Sequence, residues 1–128
     1  MSVRPFLLPQ IVFNKVATNT TKTSLITNVN RISLVSYTIN WENGVTGTVT
    51  VEASNDYTEP STISENPLNP GNWVTIPLTV PVAPAGTANS ALITIPQACP
   101  AWVRIRFTDT SGGTNTGKLT AYISGKVA

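Results

Sequence analysis

The chain contains no histidine, one cysteine and only 11% charged residues, and each shortage closes a class of function. Without histidine the commonest general base and the commonest transition-metal ligand are missing, which excludes the triads and zinc sites that depend on it. Cys99 cannot form an intramolecular disulfide by itself, so the fold must be held by its core. Eight Lys and Arg against six Asp and Glu leave a net charge of +2, too small and too scattered for a nucleic-acid face. Nothing approaches the roughly 18 consecutive apolar residues of a membrane-spanning helix, and no membrane association is expected. Pro5 and Pro9 interrupt the short apolar stretch near the start, which has neither the continuous hydrophobic region nor the small-residue cleavage site of a signal peptide. Synthesis in the cytoplasm without signal-directed export is the expectation.

Threonine, asparagine and serine fill the gap, at 20, 12 and 10 of the 128 residues, beside 41% hydrophobic residues. This combination describes one domain with a packed interior and a neutral, hydroxyl-rich exterior, as in a β protein whose outward strand positions are threonines. Residues 45–54 alternate strictly, with Val45, Gly47, Val49, Val51 and Ala53 on one face and Thr46, Thr48, Thr50, Glu52 and Ser54 on the other. That is a strand with one buried face. In residues 31–41, Val35, Tyr37, Ile39 and Trp41 share a face while Ile32 and Leu34 have the opposite parity, which predicts a bulge or a change of sheet near Leu34. Asn43-Gly44 between these runs predicts a hairpin, because both residues accept positive φ.

Further strands are expected over residues 10–18, 23–29, 73–80, 90–95, 101–108 and 117–127, about eight in all. Residues 110–116, with Gly112 and Gly113 in a polar setting, predict a mobile loop closing a final hairpin. Residues 55–72 carry Pro60, Pro67 and Pro70 and predict a long surface loop, and residues 77–84 fit only an edge strand or an extended connector. No window has helical periodicity. The expected fold is all-β: a single antiparallel β-sandwich of about eight strands, jelly-roll-like, over residues 14–128. Residues 1–13 are expected to form an extended N-terminal arm, since Pro5 and Pro9 bar them from a central strand while Phe6, Leu7 and Leu8 are too apolar to stay in water.

Trp102, Arg104 and Arg106 alternate with Val103, Ile105 and Phe107, and so form an outward stripe of residue types favoured at binding hot spots. Together with Arg4, Phe6, Leu7 and Leu8 they are the candidate protein-interface residues. A solvated strand face is the plainer alternative for the stripe. Trp41 and Trp73 lie on or beside inward faces and are expected in the core. Asn55, Asp56, Glu59 and Glu65 match no calcium-loop spacing, and Cys99 has the surroundings of an inert buried thiol. No serine stands in a nucleophile elbow and no glycine pattern forms a phosphate loop, so neither enzymatic activity nor a cofactor or metal is expected.

The runs Tyr37-Thr38-Ile39-Asn40-Trp41, residues 47–56 (GTVTVEASND), Asn72-Trp73-Val74-Thr75-Ile76, residues 102–108 (WVRIRFT) and residues 117–126 (GKLTAYISGK) resemble, in that order, small β-sandwich virion proteins of tailed bacteriophages. The resemblance spans about residues 33–126. It implies a structural part of the particle: a capsid decoration or cement protein that contacts the major capsid protein or another virion protein. It further implies a homo-oligomer, a trimer if the protein sits at a symmetric lattice point, located in the virion after synthesis in the host cytoplasm. A tail or fibre-base component is the neighbouring alternative. A carbohydrate-binding sandwich for host attachment is disfavoured, because sugar sites add carboxylates and amides around a groove.

Overall fold

Alternating apolar residues become ten strands in the computed structural model, which describes residues 6–30, 32–42, 44–60, 69–78, 81–86, 89–96 and 100–127. In chain order these are β1 (Phe6–Ala17), β2 (Lys22–Thr23), β3 (Thr27–Asn28), β4 (Leu34–Trp41), β5 (Val45–Ser54), β6 (Val74–Ile76), β7 (Ala85–Gly86), β8 (Asn89–Pro96), β9 (Trp102–Asp109) and β10 (Lys118–Lys126). They form two antiparallel sheets packed together as a β-sandwich. The first sheet runs β1-β10-β4-β8, and the second is centred on β9 and β5. Both β2 and β3 pair with β9, and both β6 and β7 pair with β5.

Counting β2 with β3, and β6 with β7, as interrupted edge strands leaves eight strand positions. They pair first with last: β1 with β10, β2/β3 with β9, β4 with β8, and β5 with β6/β7. The β10–β4 and β9–β5 pairs then join these nested ribbons into two sheets. This is the order of a jelly roll. The core lies between the sheets, with Tyr37, Ile39, Leu119, Ala121 and Ile123 from the first facing Val49, Val51, Val103, Ile105 and Phe107 from the second. Burial pushes the Tyr37 phenol far above its ordinary value, so it stays neutral.

Neither expected hairpin forms. β4 and β5 lie in different sheets, as do β9 and β10, so Glu42 and Gly44 turn a corner between layers and residues 110–117 cross the other way. The physical reason is the core: crossing lets the apolar faces of consecutive strands confront each other, whereas a flat hairpin would present both to the same side. The two corners hold one another. Gly44, at φ +86°, accepts through its carbonyl from the Thr116 and Gly117 amides at 3.1 and 3.4 Å. Of the two alternatives at Leu34 the change of sheet is the one found, since β3 pairs with β9 in the second sheet and β4 belongs to the first. β4 begins there and pairs without a shift on both sides, while Ile32 is buried in the preceding turn, its amide donating to the Val29 carbonyl.

The expected arm is also corrected. From Phe6 onward it is β1, an edge strand that pairs with β10 from Phe6 to Ala17 and sends Val12 and Phe13 into the core. Pro9 is tolerated because it stands at an edge, inside a register shift between Leu7 and Gln10. The boundary drawn after residue 13 therefore falls within a strand. Residues 1–5 lie outside the described residues. The proline-rich connector does follow the β5 edge, where Val82 bridges Val49.

Residues 110–117 are laced down rather than a mobile hairpin. Asp109 accepts from the Ser111 hydroxyl and amide and from the Gly113 amide. Asn115 donates through Nδ2 to the Thr18 and Thr46 carbonyls at 2.8 and 2.9 Å and accepts from the Thr46 amide at 2.8 Å. The Ser111 hydroxyl, followed by the Ser111 amide, holds the Asp109 carboxyl below its ordinary range.

Two measurements check these assignments. Phe13→Ala should cost about 3–5 kcal/mol in denaturant unfolding, the usual loss for a buried phenylalanine, whereas a free arm would leave stability unchanged. Because the Asp109 value is depressed on folding, its contribution is complete above the ordinary carboxylate range near pH 4 and disappears as pH falls through the lower folded value. Asp109→Asn should therefore lower the melting temperature at pH 6 and narrow its gap to the native protein at strongly acid pH.

Candidate interaction surfaces

Alternation along β9 places Trp102, Arg104 and Arg106 on the outer face of the second sheet, opposite Ser54, Glu52 and Thr50 of β5. Arg104 donates through Nε to Glu52 Oε1 at 2.8 Å, and its guanidinium carbon lies 4.1 Å from the Trp73 ring centroid. Tyr57 stands between the two tryptophans, edge-on to Trp102 at 5.0 Å and tilted against Trp73 at 6.0 Å. The Trp73 indole donates to the Pro70 carbonyl. Residues 55–60 and 69–73 thus fold back over the sheet, and Glu52 and Ser54 end 8% and 4% exposed although they point outward.

Asp56 secures this cover. One of its oxygens accepts from the Ser54 hydroxyl and the Asn72 amide, and the other from Asn72 Nδ2. The Asn72 amide, then the Ser54 hydroxyl, holds its carboxyl below the ordinary range. A cleft of about 450 Å³ beside it is lined by Ser54, Asn55, Asp56, Asn72, Val74 and Pro100. Among the described residues no three Asp, Glu or Cys side chains gather to hold a metal ion. Glu65 and Cys99 lie outside the described residues.

The stripe therefore divides. Arg104 has its carboxylate within the chain, Trp102 is half-buried against Tyr57, and Arg106 is exposed, with no ion pair among the described residues. Trp41 is in the core as expected, but Trp73 is not: it is half-buried on the outer face, where Arg104 covers its ring. From the supposed arm, Leu7 packs against the core and Leu8 is 65% exposed. Arg4 and the Phe6 side chain lie outside what the structure describes.

A surface not picked out from the sequence lies on the first sheet. Register aligns Ile11, Tyr122, Thr38 and Leu92 in one row across β1, β10, β4 and β8. Ile11, Tyr122 and Leu92 are 39%, 40% and 66% exposed. One flanking row is Ser124, Ser36 and Thr94, and the other is Thr120, Asn40 and Ser90. On β10, β4 and β8 these three rows carry no charge, while on β1 the exposed Lys15, its amide donating to Thr120 Oγ1, stands at the end of the Thr120 row. Beside the apolar row runs a groove of about 460 Å³, lined by Leu34, Ser36, Leu92, Thr94, Ser124 and Lys126. The outward parity of Leu92 and Tyr122 was visible in the alternation, but their alignment depends on β8 and β10 both pairing with β4.

Comparison with known proteins finds no matching family model and no similar curated protein, so function is argued from geometry.

Removing one partner of the Arg104–Glu52 pair leaves the other half-buried and uncompensated. Arg104→Ala should cost about 2–4 kcal/mol, and Arg104→Ala combined with Glu52→Ala should cost measurably less than the sum of the single changes. Additive losses below about 1 kcal/mol each would instead describe a solvated pair.

Proposed function

We propose that this protein is a non-enzymatic structural component of a bacteriophage virion, a capsid decoration or cement protein that stabilises the particle through protein–protein contacts. One observation carries the reading: the outer face of the first sheet exposes Leu92, Tyr122 and Ile11 among serine, threonine and asparagine, with charge only at its margins, at Lys15 and Lys126. Such a face can be covered by a neighbour without burying an unpaired ion. Support comes also from the architecture, since jelly rolls recur in viral capsid domains, and from the resemblance of residues 33–126 to small phage virion proteins. The partner is the major capsid protein or another virion protein, and a tail or fibre-base location would use the same surface.

A second reading, carbohydrate attachment, has its own observation. Jelly rolls also recur in lectins, and here Tyr57 and Trp102 stand near a cleft edged by Asn55, Asp56 and Asn72. It ranks lower because Asp56 already spends both oxygens inside the chain.

Mass spectrometry of density-banded particles from cells carrying this sequence tests the assignment. The protein should be present at a fixed ratio to the major capsid protein, and the purified chain should rebind particles stripped of it. Absence from banded particles, together with selective binding on a glycan array, would overturn the structural reading in favour of attachment.

A further inference from the structure

We propose that β8 pairs along its free edge with β8 of a second copy of this chain, antiparallel about a two-fold axis normal to the first sheet at Leu92. The contact uses the backbone at the margin of the sheet rather than its outer face, so it goes beyond the particle contact and does not depend on it.

The phase of pairing identifies the free groups. The Glu42 amide donates to the Lys118 carbonyl, one step beyond the Trp41–Leu119 partners. Hydrogen bonding alternates from side to side along an antiparallel strand, so the even-numbered residues of β4 bond β10, and Val35, Tyr37, Ile39 and Trp41 bond β8. Their β8 partners are Ile95, Ile93, Ala91 and Asn89. The amides and carbonyls of Ser90, Leu92 and Thr94 therefore point away from the sheet. The Ser90 amide turns to the side chain beside it, Asn89 Oδ1, at 2.8 Å, and among the described residues no strand pairs with this side of β8.

The other edges are guarded against such pairing and β8 is not. β1 carries Pro9, three register shifts and Lys15 in the left-handed region at φ +48°, while β2, β3, β6 and β7 are two or three residues long. β8 has eight residues, pairs with β4 without a shift and contains no charged side chain. Natural sheets blunt long edges with charge, proline or bulges, so an edge left long and neutral marks a pairing site. The guards also select the occupant. A bulged β1 is a poor partner for a straight strand, which leaves β8 itself as the complementary edge on a second copy.

The register is self-complementary. An axis at Leu92 sets Leu92 opposite Leu92 and Ser90 opposite Thr94, so all the free groups meet and each pair exchanges two main-chain hydrogen bonds. An axis at Ile93 would instead place Ser90 opposite Pro96, which has no N–H. On the inner side small meets large, Ala91 opposite Ile93. Charge does not oppose the contact: β4 and β8 carry none, and Lys126 on β10 and Lys15 on β1 stand two and three strands away from it. Isologous contacts of this kind are the commonest in homo-oligomers.

Sedimentation equilibrium of the purified chain should give twice the 13.6 kDa chain mass at micromolar concentration. Hydrogen exchange followed by NMR reads the edge itself: the Ala91, Ile93 and Ile95 amides should be protected at every concentration, and those of Leu92 and Thr94 only where the dimer forms. Thr94→Pro removes an edge donor without touching a β4 bond. It should keep the native circular dichroism spectrum and weaken self-association by about 30-fold or more. Tyr122→Arg, in the middle of the outer face, should leave the dimer intact while abolishing rebinding to stripped particles, which separates this inference from the virion reading. A chain that stays monomeric at about 100 μM overturns the second copy as occupant. A dimer that survives Thr94→Pro, or in which the Leu92 and Thr94 amides exchange as fast as in the monomer, overturns this edge.

Discussion

The molecule depends on burying the inward faces of two sheets against each other, because nothing else is available to hold it. Its single cysteine provides no internal staple, and its few charges make one ion pair among the described residues. Tyr37, Ile39, Ala121 and Ile123 on one side and Val49, Val51, Ile105 and Phe107 on the other are almost completely removed from water, and each large side chain so buried contributes about 1.5–3 kcal/mol. The packing is close enough to dictate a glycine. A Cβ at Gly47 would stand 2.6 Å from the Phe107 ring and collide with the Thr108 carbonyl.

The same constraint selects the topology. Since β4 faces β5 and β9 faces β10 across the core, the chain crosses between sheets at Gly44 and at residues 110–117, and pairing, apart from that of β5 with β6 and β7, is left to residues far apart in sequence, first strand with last. Such pairing closes long loops before it is rewarded, which places the fold among the slower-forming topologies. Polar side chains then seal the crossings. Asn115 reaches both the end of β1 and the start of β5, so the abundance of threonine, serine and asparagine reflects corner bonding as well as a hydroxylated exterior.

The two outer faces have diverged. On the second sheet, residues 55–60 and 69–73 return to cover Glu52 and Ser54, and the Arg104 guanidinium is held between a carboxylate and the Trp73 ring, a geometry suited to its planar charge. That patch is satisfied within the chain. On the first sheet no segment among the described residues covers the row of Leu92, Tyr122 and Ile11, and this uncovered surface is what the proposal of particle contact addresses.

The alternation of Val45 to Ala53 and of Val103 to Phe107 was by itself enough to establish strands, their buried faces, the absence of helical periodicity and the two-layer class, because a period of two has only one structural meaning when one face is apolar. It also placed Trp102, Arg104 and Arg106 outward. What it could not specify was the partner of each strand: Asn43-Gly44 signals a reversal of the chain, not whether the reversal stays in one sheet or changes layers. Pro9 excludes a central strand, a constraint that an extended arm and an edge strand satisfy equally. The Glu52–Arg104 pair, the position of Trp73 over it and the uncharged ridge of the first sheet arise from residues brought together by pairing across the fold. Only tertiary structure decided them, since local periodicity determines which way a side chain points and long-range register determines what it meets.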